Sequence, residues 1–598
     1  MPFRAPVADM LFIMRHVARM DALVADGTLS DLADGAAEDI LAQAGKLAED
    51  VLAPLNRVGD QHGISLSEGK VTTAPGWPAA YGQWRDGGWN GIAAAPDFGG
   101  MGLPHLLNAG CIELWNTANM AFALCPLLNM GAIEAVTVHA SDELKNLYLA
   151  KMISGEWTGT MNLTEPQAGS DLSALRTKAA PHEDGSYRIT GNKIFITYGE
   201  HDMAENIVHL VLARLPDAPP GTRGISLFLV PKYLVNADGS LGAHNDLRCS
   251  GVEHKLGIHA SPTCSMAYGD NGGAIGWLIG EENKGLACMF TMMNNARLGV
   301  GLQGVGIAER ATQQALEFAR ERKQGKVPGD KAEGMSPIVL HADIRRNLMT
   351  MKALTQAARA ICYLTAVSLD LAHRAATPEA RKAAAERAGL LTPIAKAFST
   401  DIGNEVASIG VQIHGGMGFI EETGAAQHMR DARIAAIYEG TNGIQAIDLV
   451  QRKLPLSNGA AFKQEMALMC ASIEAARALN APEFGASVAR MAETLDALAR
   501  ASDAMYEMLA QKSDDALAGA TPYLRLFGLA RGGTALLDSA VAAHRLAQGG
   551  ESDPAHAARI AVARFFAENV APQAGGLEAM VTEGAASLRQ VTDILAAE

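Results

Sequence analysis

The chain has 598 residues, 48% of them hydrophobic and 19% charged, with a formal net charge of −15 at pH 7. That balance excludes a disordered chain and is long enough for roughly three or four folded units. It also argues against nucleic acid and anionic membrane surfaces as partners, so any phosphate-bearing ligand needs local Arg, Lys and helix ends.

The run ADMLFIM near the start is too short, and too soon broken by Arg15 and His16, to be a signal peptide. Nor is any stretch expected to approach the ~18 to 20 apolar residues of a membrane span. Apolar residues then recur every three or four positions up to about residue 155, predicting helices interrupted by the Gly- and Pro-punctuated loop GWNGIAAAPDFGGMGLP (88–104). From about residue 156 to 280 short β-branched or alternating runs take over, including TGTMNLT, YRITGNKIFITYG, NIVHLVLARL and GISLFLVP, with Asp184-Gly185 as a turn between two of them. Helical periodicity returns from residue 282 to about 454, and an Ala-rich helical tail follows, divided at 457–459, 480–485 and 548–554. Segregated helical and β segments make an α+β chain. The seven cysteines are scattered and odd in number, without a C-x-x-C pair, which points to a reduced, cytoplasmic setting.

In MNLTEPQAGSDLSALRTKA (161–179) a strand ends at Thr164, followed by Gly169, Ser170 and Asp171. Hydroxyls and free amides there suit a ring carbonyl or a phosphate; they equally suit a plain strand-to-turn corner. In KIFITYG (193–199), Phe195 and Thr197 share a strand face by the period of two. They could flank a flat heteroaromatic ring or simply pack a sheet. Gly299, Gly301 and Gly304 match G-x-G-x-x-G, but a helix precedes them where a dinucleotide site needs a strand, so close helix packing is expected. Arg297 on the same face could fork a phosphate or make an interhelical ion pair. ARERKQGK (319–326) reads as a basic helix end, and His414 in QIHGGMGF as packing or capping. No His, Cys or carboxylate spacing calls for a metal.

In RDARIAAIYEGTNGIQ (430–445) one carboxylate, Glu439, follows an apolar approach and precedes a tight turn into a helix. Burial would lift its pKa toward that of a proton-abstracting base, and a helix start beside it would favour an anion. The bland alternative is a helix–loop–helix corner with one exposed Glu.

Six strings, MNLTEPQAGSD, KIFITYG, EHKLGIHASPTC, ARERKQGK, QIHGGMGF and IYEGTNGIQ, resemble those of the acyl-CoA dehydrogenase family in order and spacing over residues 36–455. The layout is most like the long members with a C-terminal helical extension that act on 3-methylmercaptopropionyl-CoA. The resemblance implies an N-terminal extension (1–35), an N-terminal helical domain (36–160), and a central β-barrel or sandwich domain (161–281). A C-terminal helical bundle with the catalytic base (282–455) and an additional helical domain (456–598) complete it. It implies FAD, held by Thr164, Ser170, Phe195, Thr197 and Thr441, with Arg322, Gln412 and Gly416 reaching the FAD of a neighbouring subunit in a homodimer or dimer of dimers. Glu439 would be the base, and Ser170, Arg297, Tyr438 and Gly440 would meet the acyl-CoA. Ala296, where some members place the base, cannot ionise. The turn reads Asn442-Gly443 where shorter members often carry a glutamine. The implied reaction is α,β-dehydrogenation of an acyl-CoA thioester to a trans-2-enoyl-CoA, with an electron-transfer flavoprotein as acceptor. The expected substrate is 3-methylmercaptopropionyl-CoA, as in dimethylsulfoniopropionate catabolism, or a short- or medium-chain acyl-CoA. Alternatives are a medium- or long-chain enzyme of β-oxidation, an acyl-CoA oxidase, and a non-catalytic acyl-CoA-binding protein.

Overall fold

A computed structural model describes residues 3–331 and 333–597. Ahead of the first helical domain, α1 (Val7–His16) buries Met10, Ile13 and Met14, the three-and-four spacing of one helix face. Its Asp9 pairs with Lys352 at 3.3 Å and Arg559 at 3.1 Å, and the Arg559 guanidinium lies 3.9 Å from the Phe12 ring centroid. Lys352 belongs to the C-terminal bundle and Arg559 to the final helical domain, so the extension is clasped between the two.

The N-terminal domain is built on α2 (His105–His139). By length and composition this helix could cross a bilayer, with a mean hydropathy of 1.6 in its most apolar window, which corrects the sequence expectation. However, 83% of that window is buried inside the protein, as expected of a core helix apolar all round. The helix breaks at Asn119 (φ −160°, ψ 89°), whose side-chain oxygen accepts from Phe122 N at 3.1 Å and so caps the second segment.

The β domain is an eight-stranded sheet. Its strands are β1 (Trp157–Asn162), β2 (Lys178–Pro181), β3 (Tyr187–Thr197), β4 (Asn206–Ala213), β5 (Ser226–Pro231), β6 (Leu247–Val252), β7 (Thr263–Tyr268) and β8 (Ala274–Ile279). The order is β6-β7-β3-β8-β5-β4-β1, with β2 also paired to β3. Only β1 and β4 run parallel among these pairs. The long β3 splits its partners: its first half pairs β2 and β8, its second half β7.

The bundle holds α3 (Gly285–Glu321), α4 (Ala342–Arg374) and α5 (Pro378–His414). Thr377 caps α5 by accepting from Ala380 N at 3.2 Å, with Pro378 in the first turn. The glycine run of α3 is its contact with α5: a Cβ on Gly301 or Gly304 would lie 2.6 Å from Ala395 O or 2.2 Å from Ser399 O. Two short helices, α6 (Ala425–Ala432) and α7 (Asn442–Asp448), flank the Glu439 turn. The final domain packs α8 (Ala520–Gln548) directly on the bundle, with Leu526 and Ile361 in one apolar core that also takes in Met10.

Candidate active site

Between α6 and α7 the chain reverses through Glu439 (φ 55°) and Gly440 (φ 82°), both left-handed. For a residue with a Cβ this conformation costs about 1–3 kcal/mol and persists where the surroundings over-determine it. Thr441 then caps α7, its hydroxyl accepting from Ile444 N at 3.2 Å. Glu439 is half-buried, and among the described residues its carboxylate takes no hydrogen bond and its N–H donates none. Burial pushes the carboxyl up to about 6, against the pull of Arg297 and Lys396. The exposed-corner alternative therefore does not describe this residue. Gly440→Ala is expected to lower stability by about 1–3 kcal/mol, from the left-handed backbone and a Cβ 2.7 Å from Gln445 Nε2. A thermal melt of the variant measures this, and an unchanged midpoint contradicts it.

The floor of the turn is polar and buried. Lys396 of α5 donates to Gly440 O at 2.9 Å and to Asn442 Oδ1 at 2.8 Å. Asn442 in turn donates to Asp401 Oδ1 at 2.6 Å and Thr400 Oγ1 at 3.0 Å, so this side chain faces inward. Gln445 donates to Glu439 O at 3.2 Å. The Tyr438 hydroxyl donates to Gln303 Oε1 of α3. Arg297, on the same helix, is 7% exposed and pairs with Asp448 at 3.4 Å. Burial pulls its pKa down, with Asp448 and Glu439 opposing. Among the described residues, Arg297 Nε, Gln303 Nε2 and Gln445 Oε1 are buried without a hydrogen-bond partner. Such a concentration around one carboxylate marks a polar site rather than a packing corner.

Lys396 was missed from the sequence. Its one signal is position: a lone ammonium between Ile394-Ala395 and Ala397-Phe398, all four buried.

A second cluster lies on the sheet. Opposite Ser265 of β7, β3 presents two residues, because Cys264 pairs Ile196 while Met266 pairs Lys193. This bulge coincides with a left-handed Phe195 (φ 60°) and turns its ring outward, 57% exposed, while Lys193 and Ile196 are buried. Phe195 is exposed and Thr197 half-buried, whereas Lys193, which strict alternation would put with them, is buried. The loop bearing Thr164 is tied down here: Ile194 N donates to Thr164 O at 2.9 Å, and Glu165 pairs with Lys193 at 2.9 Å. Ser170 stands exposed on the same loop. An open aromatic ring beside two threonines suits a flat ring with a polar rim.

Arg322 just past α3, and Gln412 and Gly416 at and after the end of α5, are exposed, and among the described residues no side-chain hydrogen bond or ion pair joins them to either cluster in one chain. Beside them Met417, Phe419 and Ile420 are 50%, 85% and 46% exposed. A cavity of about 860 Å³ lies elsewhere, between α1, α4 and α8, lined by Val17, Leu23, Leu364, Arg531 and Asp538 among others. Among the described residues no group of three or more His, Cys, Asp or Glu could hold a metal.

The chain matches the family descriptions "Acyl-CoA dehydrogenase, N-terminal domain" over residues 36–156, "middle domain" over 160–270 and "C-terminal domain" over 283–454. Residues 462–592 match "Acetyl-CoA dehydrogenase C-terminal like". It is 46% identical to 3-methylmercaptopropionyl-CoA dehydrogenase of Ruegeria pomeroyi, over 98% of this chain and 99% of that one. ACDH-11 of Caenorhabditis elegans, solved with C11-CoA, shares the fold at TM-score 0.74 and 20% identity, covering 92% of this chain and 91% of that one. A chain solved as electron transferring flavoprotein of Acidaminococcus fermentans is 27% identical at TM-score 0.57, covering 69% of this chain and 97% of that one.

Proposed function

The chain belongs to the acyl-CoA dehydrogenase family, and from that premise we propose that Glu439 abstracts the α-proton of 3-methylmercaptopropionyl-CoA. That the protein is an FAD-dependent acyl-CoA dehydrogenase follows from its family. The thioether substrate is supported by 46% identity along nearly the whole chain to a dehydrogenase of that name. The base assignment rests on one observation: a half-buried carboxylate that takes no hydrogen bond among the described residues and that burial pushes up to about 6.

The residues present fit FAD. Phe195, exposed on the sheet, offers an apolar face, and Thr164 and Thr197 offer hydroxyls for its ring; Ser170 and Thr441 would take other parts of it. Arg322, Gln412 and Gly416 would hold the FAD of a second copy, which the exposed Met417, Phe419 and Ile420 support. The homodimeric state, a cytoplasmic location and an electron-transfer flavoprotein as acceptor complete the proposal. Similarity to the chain from Acidaminococcus supports the acceptor.

A thioester α-proton is weakly acidic, so the carboxylate needs help. Negative charge develops on the thioester oxygen as the proton leaves, and the Glu439 N–H, which has no acceptor among the described residues, would donate to it. One such donor contributes about 3 kcal/mol to lowering a barrier. When bound, FAD supplies the acceptor for the β-hydrogen, which leaves as hydride. Arg297 and Lys396 keep Glu439 ionisable despite burial, and Gly440 and Tyr438 shape the approach for the acyl-CoA.

Glu439 must be ionised to act, so kcat/KM is expected to fall as pH drops below about 6, the value to which burial lifts it. A flat profile down to pH 5 would remove Glu439 from the acid limb.

The substrate is tested by anaerobic bleaching of the flavin with a thioester panel from butyryl- to palmitoyl-CoA, including the methylmercaptopropionyl compound. Fast bleaching by short and thioether substrates alone supports the proposal. Preference for octanoyl or longer makes this an enzyme of fatty-acid β-oxidation. Peroxide formed in step with substrate under air identifies an oxidase.

A further inference from the structure

We propose that Lys396 is a positioning residue for proton abstraction: its ammonium clamps the turn that carries Glu439 and supplies a cation that favours the ionised base. The inference rests on Glu439 being that base.

Geometry carries the first half. Lys396 Nζ spans the turn, donating at 2.9 Å to Gly440 O, immediately after the base, and at 2.8 Å to Asn442 Oδ1. These acceptors lie on either side of Thr441, so one ammonium fixes both arms of a left-handed turn that a Glu does not adopt by preference. Asn442 is itself anchored to α5, donating to Thr400 Oγ1, to Asp401 Oδ1 and, at 3.2 Å, to Ala397 O. Thr400 lies four residues after Lys396, on the same helix face. Turn and helix therefore form one hydrogen-bonded unit with the lysine, fully buried, at its centre. A lysine required only for solubility would not be placed here.

Charge carries the second half. Burial pulls the Lys396 ammonium down to about 7, with Glu439 and then Asp401 holding it up and Arg297 opposing. On the other side Glu439 feels Arg297 and Lys396. The remaining charges are spoken for: Asp448 faces Arg297 and Arg452, and Asp401 feels Arg525 and Glu405 besides Lys396. Lys396 is the cation tied to the base's own turn.

The test uses the FAD-loaded protein and follows flavin reduction by a saturating acyl-CoA across pH. Lys396→Met keeps the length and removes the charge. It is expected to slow reduction about ten- to hundredfold with little change in KM, since misplacing a reacting group by about 1 Å costs that much. Its acid limb should move about one pH unit upward, because loss of a nearby cation raises a carboxyl pKa. A purely structural lysine would lower the melting temperature and leave the acid limb in place. Asn442→Ala removes one leg of the clamp without altering charge, and should slow reduction about tenfold with the acid limb unmoved. Wild-type reduction rates in both variants, or an unshifted limb in Lys396→Met, overturn the proposal. If Lys396→Met fails to load FAD, a wild-type rate in Asn442→Ala overturns the clamp alone. Failure of the base assignment is separate: it shows as turnover in Glu439→Gln, whatever the lysine variants do.

Discussion

Glu439→Gln is expected to lower turnover by about two to four decades while leaving the flavin spectrum and acyl-CoA binding intact. General-base catalysis contributes about 10²- to 10⁴-fold in comparable reactions. Ala296, which the sequence resemblance marks as the alternative place for the base, cannot ionise and so cannot substitute. Glutamine keeps the shape of the side chain, so the turn over Lys396 and Gln445 should persist and ligand affinity should barely change. Rapid-scan flavin reduction with an acyl-CoA separates binding from chemistry. A variant that still bleaches within the dead time would move the base elsewhere.

Lys193→Met is expected to destabilise the protein by about 3–5 kcal/mol, the usual cost of orphaning one partner of a buried ion pair. Glu165 is 4% exposed and Lys193 is fully buried. Burial pushes Glu165 up, but Lys193, the Thr177 hydroxyl and the Arg176 amide outweigh it and hold the carboxyl down to about 2. Burial pulls Lys193 down to about 8, so the pair stays charged at neutral pH. Because the folded pKa of Glu165 lies below its unfolded value, its contribution is present above about pH 4.5 and lost as pH falls toward 2. In the variant the orphaned carboxylate is charged and costly at pH 7 but protonated in acid. The deficit against wild type should therefore shrink below about pH 5. Since Thr164 precedes Glu165, flavin should also be released at lower denaturant. Denaturant melts at pH 7 and pH 4.5 read both effects, and equal deficits would mean that packing, not charge, holds this loop.

The helical–β–helical order was legible from periodicity because helix and strand faces repeat at 3.6 and 2 residues. Chemistry concentrated in short strings, of which the Glu439 turn was the most readable. What escaped was everything set by a local exception or by a distant partner. Strict alternation puts Lys193, Phe195 and Thr197 on one face; the bulge opposite Ser265 inserts a residue, sends Lys193 inward to Glu165 and leaves Phe195 outside. No pattern of period two can announce that. Lys396 reads as an ordinary helical lysine until the turn 44 residues later folds over it. Arg297 was readable as a phosphate fork or an ion pair, and the structure places it under the turn against Asp448. The apolar helix α2 was not legible as one long segment because polar residues, Asn108, Glu113, Asn116 and Asn119 among them, interrupt the run, yet the structure buries these as well.

The clasp between the first and last segments has a consequence for synthesis. Asp9 and Arg559 meet across 550 residues of chain. At about 5–20 residues per second, the ribosome emits α1 about half a minute to two minutes before its partner helix exists. Met10 and Met14 can meet α2 early, since a Cβ on Gly110 would lie 3.4 and 2.7 Å from their methyl groups, but Asp9 lacks its Arg559 partner throughout that interval. A helix made early is thus among the last to complete its contacts, and a holdase that shields it should raise the yield of native protein more than one acting on the finished chain.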